Sequence, residues 1–271
     1  MGESLLHGLT RPGTVIDGGV RATCYSAARA VSVGERLGVT VEAVEECPEA
    51  NLRAVEASDV VVLAISPERV RSVLNEISSS LRPSALVISL AAGVTHSRLT
   101  SLLPTSATVV RVIPNLGGQV GFGVTGVGKN EGVSEEQLRV VHELFGTVGK
   151  VVTVRDDQLD AVSSLSGSGP AYFYYFTDQL TAAAVELGFS EMQARQLAEQ
   201  TFIGAAAVMQ SSGERPCELL RYFTNPAGTS IRAVREMANH DLKGLLVKAA
   251  SAAIARSTEI AYEAEIQPPQ S

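Results

Sequence analysis

Short apolar runs alternate with longer amphipathic stretches between residues 20 and 155. The clearest run, residues 60–65, is apolar without a break, as expected of a strand that is buried on both faces. Further strands are predicted at residues 86–90, 109–113, 124–128 and 151–154. Helices are predicted at residues 27–37, 68–78 and 134–145, the last capped by Ser134 with Gln137. This alternation is typical of strand-helix-strand units and predicts a parallel sheet.

The pattern changes after Asp160, where apolar residues repeat every three or four positions and no further strand is predicted. Alanine-rich helical stretches cover residues 182–187, 194–209 and 245–261. A strand-rich part followed by an all-helical part indicates two domains. We place these domains at residues 1–157 and 158–271.

Composition and charge narrow the class of protein. The 271 residues are 45% hydrophobic and 19% charged, which is enough for ordinary buried cores. The formal net charge of -7 opposes binding along a nucleic-acid backbone, which needs clustered Lys and Arg. No apolar run reaches the roughly 18 residues of a membrane span, and the first residues lack a signal-peptide pattern.

The cysteines and histidines carry no metal or disulfide pattern. Cys24, Cys47 and Cys217 are widely spaced and odd in number, and the histidines lack the spacing of metal ligands. No metal site is therefore predicted. Together with the charge, this predicts a soluble cytoplasmic protein that has no nucleic-acid or membrane partner.

Three segments hold residues suited to binding a small ligand. Residues 164–172 read S-L-S-G-S-G-P-A-Y, and their small side chains allow backbone to approach a ligand closely. For the glycines alone, a flexible interdomain turn is the alternative. Residues 224–231, T-N-P-A-G-T-S-I, begin a helix predicted to reach about residue 238, and free N–H groups at a helix start suit a carboxylate. An ordinary N-cap would also explain this segment.

The third segment, residues 110–115, reads V-R-V-I-P-N and ends a strand at the edge where doubly wound sheets bind ligands. Together the three resemble pyrroline-5-carboxylate reductases, whose usual forms read S-G-S-G-P-A-Y, S-P-G-G-T-T and R-x-M-P-N. Residues 57–67 are similar to the family's A-D-V to A-V-K-P stretch, and residues 90–95 match its A-A-G-V-T. The resemblance covers nearly the whole chain.

The resemblance implies a Rossmann-type N-terminal domain and an all-α C-terminal dimerisation domain. It also implies the last step of proline biosynthesis, the reduction of pyrroline-5-carboxylate to L-proline. The substrate-binding residues that it implies are Ala227, Gly228, Asn115 and Ser168. Ser230, at the position of a family Thr, would serve the imine nitrogen beside Thr229.

A nicotinamide cofactor is implied in the same way. The cofactor-binding residues carried over from the family are Gly2, Asn51, Ala64, Ile65, Ser66, Pro67, Ala91, Ala92 and Gly93. Residues 20–24, where a strand is predicted to end, lack the Asp or Glu that would bind an unphosphorylated ribose. Ser26 and Arg29 follow instead, which favours NADPH over NADH, although a solvated helix face explains Arg29 equally well.

The start of the chain departs from the family. Members open with a strand followed by G-x-G-N-M-G, whereas Met1 and Gly2 fall inside that motif. The missing glycines normally shape the turn around the cofactor pyrophosphate. We expect the missing strand to leave two neighbouring strand edges unpaired. A start codon placed too late and a truncated paralogue with weakened cofactor binding are both open explanations, which the upstream DNA would separate.

Smaller departures leave the substrate open. Ser66 replaces the family's Lys, Leu116 and Gly117 replace the T-P of N-T-P, and Ala227 replaces a Gly. A divergent reductase of another cyclic imine is one alternative. A catalytically impaired paralogue that serves as a partner subunit is a second. A deazaflavin-linked reductase is a third, and the S-G-S-G-P segment argues against it.

Residues 172–176 are all Tyr or Phe. Five successive residues of a helix point to every side of it, so this helix is predicted to be enclosed all round. One chain of this size cannot easily enclose it. A homodimer or larger homo-oligomer is therefore expected, in line with the resemblance.

Overall fold

The structure is a computed structural model that describes residues 1–223 and 228–266. Two separately packed units can be distinguished. The first comprises Met1–Ser168 together with the last helix from Ala253 onward, and the second comprises Gly169–Ala252. The predicted domains, residues 1–157 and 158–271, stay a prediction, because the units are defined by packing alone.

Within the described residues, the first unit holds seven strands and seven α-helices. The strands are β1 (Ala22–Cys24), β2 (Val41–Ala43), β3 (Val60–Leu63), β4 (Leu86–Ser89), β5 (Thr108–Ile113), β6 (Gly123–Lys129) and β7 (Gly149–Arg155). The helices are α1 (Gly2–Leu9), α2 (Ala27–Leu37), α3 (Ala50–Glu56), α4 (Pro67–Ile77), α5 (His96–Ser101), α6 (Glu135–Gly146) and α7 (Leu159–Val162). The five predicted strands correspond to β3 to β7, and the three predicted helices to α2, α4 and α6. Their limits differ from the predicted ones by no more than a few residues.

The strands form two sheets. β1 and β2 pair in parallel as a two-stranded sheet, and the other five follow the order β3-β4-β5-β6-β7. Among the described strands, β1 pairs only with β2 and β3 only with β4, so each has one free edge. This agrees with the expectation of two unpaired edges. β3, whose side chains are all apolar, is thereby left at the margin of its sheet.

The larger sheet is not wholly parallel as predicted. β3, β4 and β5 run parallel, as do β6 and β7, but β5 and β6 are antiparallel. Residues 114–122 alone connect these two strands. A parallel crossover needs about a dozen residues or more, whereas a reversal of direction does not. The prediction was wrong at this one pairing because it did not take into account the short connection between β5 and β6.

Helices cover both faces of the larger sheet. Alternate residues of a strand point to opposite faces. Val87 and Val109 accordingly pack with Leu74 of α4 on one face. Ile88, on the other, packs with residues of α1 and α6, including Phe145. The sheet is therefore the middle of three layers, which explains why its strands read as continuous apolar runs.

A one-turn helix and a π-helix end the Met1–Ser168 part of the first unit. α7 lies against β6, where glycines leave room for it: a Cβ on Gly126 would stand 2.5 Å from Val162, and one on Gly128 2.7 Å from Leu159. A π-helix then covers Ser163–Gly167. The glycine-containing motif is thus helical and not the flexible interdomain turn that was the alternative for its glycines.

The second unit contains only helices among the described residues, as predicted. They are α8 (Gly169–Glu186), α9 (Glu191–Ser212), α10 (Pro216–Phe223), α11 (Thr229–Asn239) and α12 (Leu242–Ile266), whose last part belongs to the first unit. α8 and α9 contact each other, with the rings of Phe173 and Phe202 5.6 Å apart. The helix predicted to begin within residues 224–231 and to reach about residue 238 corresponds to α11.

Candidate cofactor and substrate sites

The start of α1 and the end of β3 meet at one edge of the larger sheet. A Cβ on Gly2 would stand 2.6 Å from the Cβ of Ala64, so the position has no room for a side chain. The first turn of α1 therefore lies directly against the loop that follows β3. Amide N–H groups at the start of a helix bind phosphate oxygens well.

The loop after β3 leads into α4. Ala64 and Ile65 precede Ser66, which is the extended N-cap residue of α4, and Pro67 takes the first helical position. The Ser66 side chain does not cap the helix. The Ser66 hydroxyl beside the Glu68 carboxylate lowers the pKa of Glu68. The predicted residues 64–67 thus end at a second helix start on this edge.

Ala91, Ala92 and Gly93 follow β4 on the same edge, because β3 and β4 are parallel and Leu63 is paired with Ser89. The amide of Ala91 donates to the Ser89 hydroxyl at 3.3 Å. Gly93 has a φ of +79°, a left-handed conformation that favours glycine. The structure therefore brings residues 64–67, residues 91–93 and Gly2 to one edge.

Asn51, Ser26 and Arg29 lie near the end of β1. The amide oxygen of Asn51 accepts from the Thr23 hydroxyl at 2.7 Å, and its nitrogen donates to Glu76 at 3.1 Å. Ser26 is the N-cap residue of α2 without a side-chain cap bond. Arg29 is exposed and forms an ion pair with Glu3 of α1 at 3.2 Å. Its predicted contact with a ribose phosphate stays a prediction.

The sequence reasoning missed two features at this position. The Arg69 guanidinium lies 5.2 Å from the centre of the Tyr25 ring. The Glu45 carboxylate accepts a hydrogen bond from the Ala27 amide at the start of α2. Glu45 follows β2, and the parallel pairing of β1 with β2 brings it beside the residues that follow β1. Only that pairing, had it been predicted, would have indicated Glu45.

Asn115 and Arg111, both from residues 110–115, have structural partners. The Asn115 side-chain oxygen accepts from the Val124 amide at 3.0 Å and so ties the end of β5 to β6. Arg111 is 6% exposed and forms an ion pair with Asp156 at 2.8 Å. This pair fixes the segment before α7 against the sheet. Ser168 ends the π-helix, and its amide donates to the Ser163 carbonyl at 2.8 Å.

The start of α11 belongs to the second unit. Gly228 is its N-cap residue, with extended backbone (φ −80°, ψ 157°) and no side-chain cap. Thr229 and Ser230 form its first turn, which contains no acidic residue. The amide groups there keep their partial positive charge, which suits a carboxylate. Ala227 lies outside the described residues.

The described residues contain neither a metal-binding cluster nor a membrane-spanning helix. No group of three or more His, Cys, Asp or Glu side chains is placed to hold a metal ion in residues 1–223 and 228–266. Over the same part of the chain, every helix is too short or too polar to cross a bilayer.

A largely parallel sheet between helical layers, with a side-chain-free helix start at its carboxyl edge, defines a dinucleotide-binding protein of the Rossmann type. The residues present fit a nicotinamide dinucleotide. The amides at the starts of α1 and α4 suit its pyrophosphate, and the end of β1 suits its adenosine ribose.

Comparisons with known proteins narrow this class. Residues 156–260 match the family model for pyrroline-5-carboxylate reductase dimerisation, and residues 1–93 match that for NADP oxidoreductase, coenzyme F420-dependent. The chain is 35% identical to the pyrroline-5-carboxylate reductase of Corynebacterium melassecola, over 96% of this chain and 95% of that protein. It is 36% identical to that of Pseudomonas aeruginosa, over 91% and 92%.

A solved structure agrees with these relatives. The pyrroline-5-carboxylate reductase of Coxiella burnetii has a TM-score of 0.86 and 32% identity, with 96% of this chain and 94% of that chain covered. The chain therefore belongs to the pyrroline-5-carboxylate reductase family. Neither the reductase of another imine nor the impaired partner subunit is favoured by these comparisons.

Proposed function

We propose that the chain reduces 1-pyrroline-5-carboxylate to L-proline, the last step of proline biosynthesis, with a nicotinamide cofactor as hydride donor. When bound, a reduced nicotinamide would supply hydride to the imine carbon and become oxidised, and the nitrogen would take a proton from solvent, so that the C=N bond becomes a single C–N bond. The start of α11 carries this proposal, since within the described residues its amides are neither capped by a side chain nor neutralised by an acidic first turn.

The roles of the residues follow from this chemistry. The amides of Gly228 to Ser230 bind the substrate carboxylate and thereby orient the ring. The Ser230 hydroxyl donates a hydrogen bond to the imine nitrogen, which makes the neighbouring carbon a better hydride acceptor. Ala227, Asn115 and Ser168 remain the further substrate-binding residues that the family resemblance implies.

NADPH is the proposed hydride donor, with NADH as a possible substitute. The family model that matches residues 1–93 describes coenzyme F420-dependent NADP oxidoreductases, and Ser26 and Arg29 follow β1 where a ribose phosphate would bind. The holding residues would be Gly2, residues 64–67 and residues 91–93, whose loops lie on one edge of the sheet.

We propose that the active form is a homodimer or larger homo-oligomer. The family model over residues 156–260 describes dimerisation, and α8 exposes a run of aromatic side chains. The cytoplasmic location inferred from the cysteine pattern stays a prediction.

The activity is tested by incubating the purified protein with pyrroline-5-carboxylate and NADPH, and separately with NADH. Cofactor oxidation should be matched by an equal amount of proline, measured by amino-acid analysis. A folded protein that forms no proline with either cofactor would contradict the proposal.

The role of Ser230 is tested by Ser230→Ala. We expect kcat to fall at least about tenfold, because one hydrogen bond to the reacting nitrogen is lost. The far-ultraviolet circular dichroism should not change, since Ser230 is exposed. Ser251→Ala, an exposed serine of α12, is the matched control and should leave kcat unchanged. Unchanged turnover in Ser230→Ala would remove Ser230 from the mechanism.

A further inference from the structure

The end of β1 is where a Rossmann-type sheet binds the adenosine ribose of its cofactor. An acidic residue about 20 residues after the glycine turn accepts a hydrogen bond from the ribose 2′-hydroxyl in many such proteins. β1 ends at Cys24, and the residues directly after it, Tyr25 and Ser26, are not acidic. β1 and the two residues directly after it therefore provide no carboxylate that would repel a 2′-phosphate.

A carboxylate nevertheless reaches this position from the neighbouring strand. The chain continues past β2 alongside the residues after β1: the Val44 amide donates to the Cys24 carbonyl at 2.8 Å, and the Glu45 amide to the Tyr25 carbonyl at 3.1 Å. These bonds fix the backbone of Glu45. Its side-chain oxygen then accepts from the Ala27 amide at 2.5 Å.

The Glu45 carboxylate is hydrogen-bonded to the first turn of α2. The Ser26 side chain does not cap this helix, and its first turn has no acidic residue of its own. The basic residue of that turn, Arg29, lies 3.2 Å from Glu3. Burial raises the pKa of the Cys24 thiol, and the charges of Arg29 and Glu45 shift that pKa down and up respectively, so both charges act at the end of β1.

We propose that Glu45 is a specificity residue, which accepts a hydrogen bond from the ribose 2′-hydroxyl of NADH and opposes the 2′-phosphate of NADPH. The inference rests on the nicotinamide cofactor of the proposed function. A 2′-phosphate carries a charge of about −2 and would be repelled by the Glu45 carboxylate, which accepts a hydrogen bond from the Ala27 amide of α2. Glu45 therefore makes the preference for NADPH weaker than Ser26 and Arg29 alone would make it.

The test compares Glu45→Gln with Glu46→Gln. Both substitutions remove one negative charge from exposed neighbouring residues, but only Glu45 bonds to the start of α2. Glutamine keeps an oxygen that can accept from Ala27, so both variants should fold, as checked by their melting temperatures. Dissociation constants for NADPH and NADH are measured by fluorescence titration. Calorimetry with 2′,5′-ADP and with AMP examines the ribose position without the nicotinamide half.

In Glu45→Gln we expect NADPH and 2′,5′-ADP to bind about tenfold more tightly, because a like-charge contact is removed at an exposed and therefore screened site. NADH should bind a few-fold more weakly, since a hydrogen bond to a charged acceptor is lost. Glu46→Gln should change each constant less than about twofold.

Two other outcomes would overturn the inference, and they are distinguishable. If the wild type forms proline but the ratio of the NADPH and NADH constants changes equally in the two variants, or in neither, Glu45 is not a specificity residue and the proposed function stands. If neither cofactor binds the wild type or Glu45→Gln, the proposed function fails together with the inference.

Discussion

The two units of the chain differ in how much apolar surface each buries. In the first unit, large side chains such as Leu74, Ile88 and Phe145 are fully buried between the sheet and its helices. In the second, the buried residues within the described range are Gly169, Ala194 and Ala198, all small. Four successive aromatic side chains of α8, those of Phe173, Tyr174, Tyr175 and Phe176, are exposed, and Tyr175 is 68% exposed.

The local signals for helix formation are nevertheless the same in both units. α6 of the first begins with a capping box of Ser134 and Gln137, and α9 of the second with one of Ser190 and Gln193. The difference between the units is therefore one of tertiary burial and not of helix propensity. An exposed apolar area of this kind marks an interaction surface, and a second copy of the chain would bury it.

The largest effect should come from the exposed aromatic side chains. We expect Phe176→Glu on α8 to convert the homo-oligomer to monomers, because a charge would be buried at the interface without a partner. Light scattering coupled to size exclusion measures this. Val15→Glu is the control, since Val15 is 91% exposed in a loop of the first unit, and it should leave the mass unchanged. A monomeric wild type would remove the explanation given for the second unit.

The next largest effect should come from the part-buried ion pair of Arg111 with Asp156 in the first unit. Arg111→Met should lower the free energy of unfolding by about 2–3 kcal/mol, because the Asp156 carboxylate, whose side chain is 20% exposed, would lose its charged partner. Arg155→Met is the control. Arg155 and Asp157 form a pair whose side chains are 72% and 70% exposed, and its loss should change stability by less than about 1 kcal/mol. Denaturant titration measures both.

A double variant sharpens this test. Within the described residues, Arg111 Nε and Asp156 Oδ1 are buried without a hydrogen-bond partner, so the pair is not fully satisfied. Arg111→Met combined with Asp156→Leu should therefore recover part of the lost stability. If the double variant is less stable than Arg111→Met alone, the penalty does not come from an unpaired charge.

The smallest effect tests the similarity between the units. Ser134→Ala and Ser190→Ala should each lower the free energy of unfolding by about 1 kcal/mol, because each removes the acceptor of one N-terminal amide. Denaturant titration of the two variants side by side measures the change. A change in only one of them would show that capping depends on the packing of its unit.

Much of the fold could be predicted because its signals are local. The apolar run that contains β3 and the capping box of α6 are each visible within a few residues. The direction of β6 was missed, although the short connection from β5 contains the information. The π-helix at Ser163–Gly167 could not be found from its composition, which also fits a turn.

The candidate sites follow the same division. Gly2, residues 64–67 and residues 91–93 were found through motifs, and the structure brings them to one edge of the sheet. Glu45 was missed because its position depends on the pairing of two three-residue strands that have weak sequence signals. The ion pair of Arg29 with Glu3 joins two helices and depends on their packing in the same way.

The alternating glycines of β6 have a consequence for how this sequence can change over time. A methyl group at Gly126 would overlap Val162, and one at Gly128 would overlap Leu159 and the Asp156 carboxylate. Either replacement requires a smaller side chain at the opposing position as well. A single substitution is therefore disfavoured, whereas a paired substitution can be accommodated. We therefore expect substitutions at Gly126 and Gly128 to occur together with substitutions in residues 156–162.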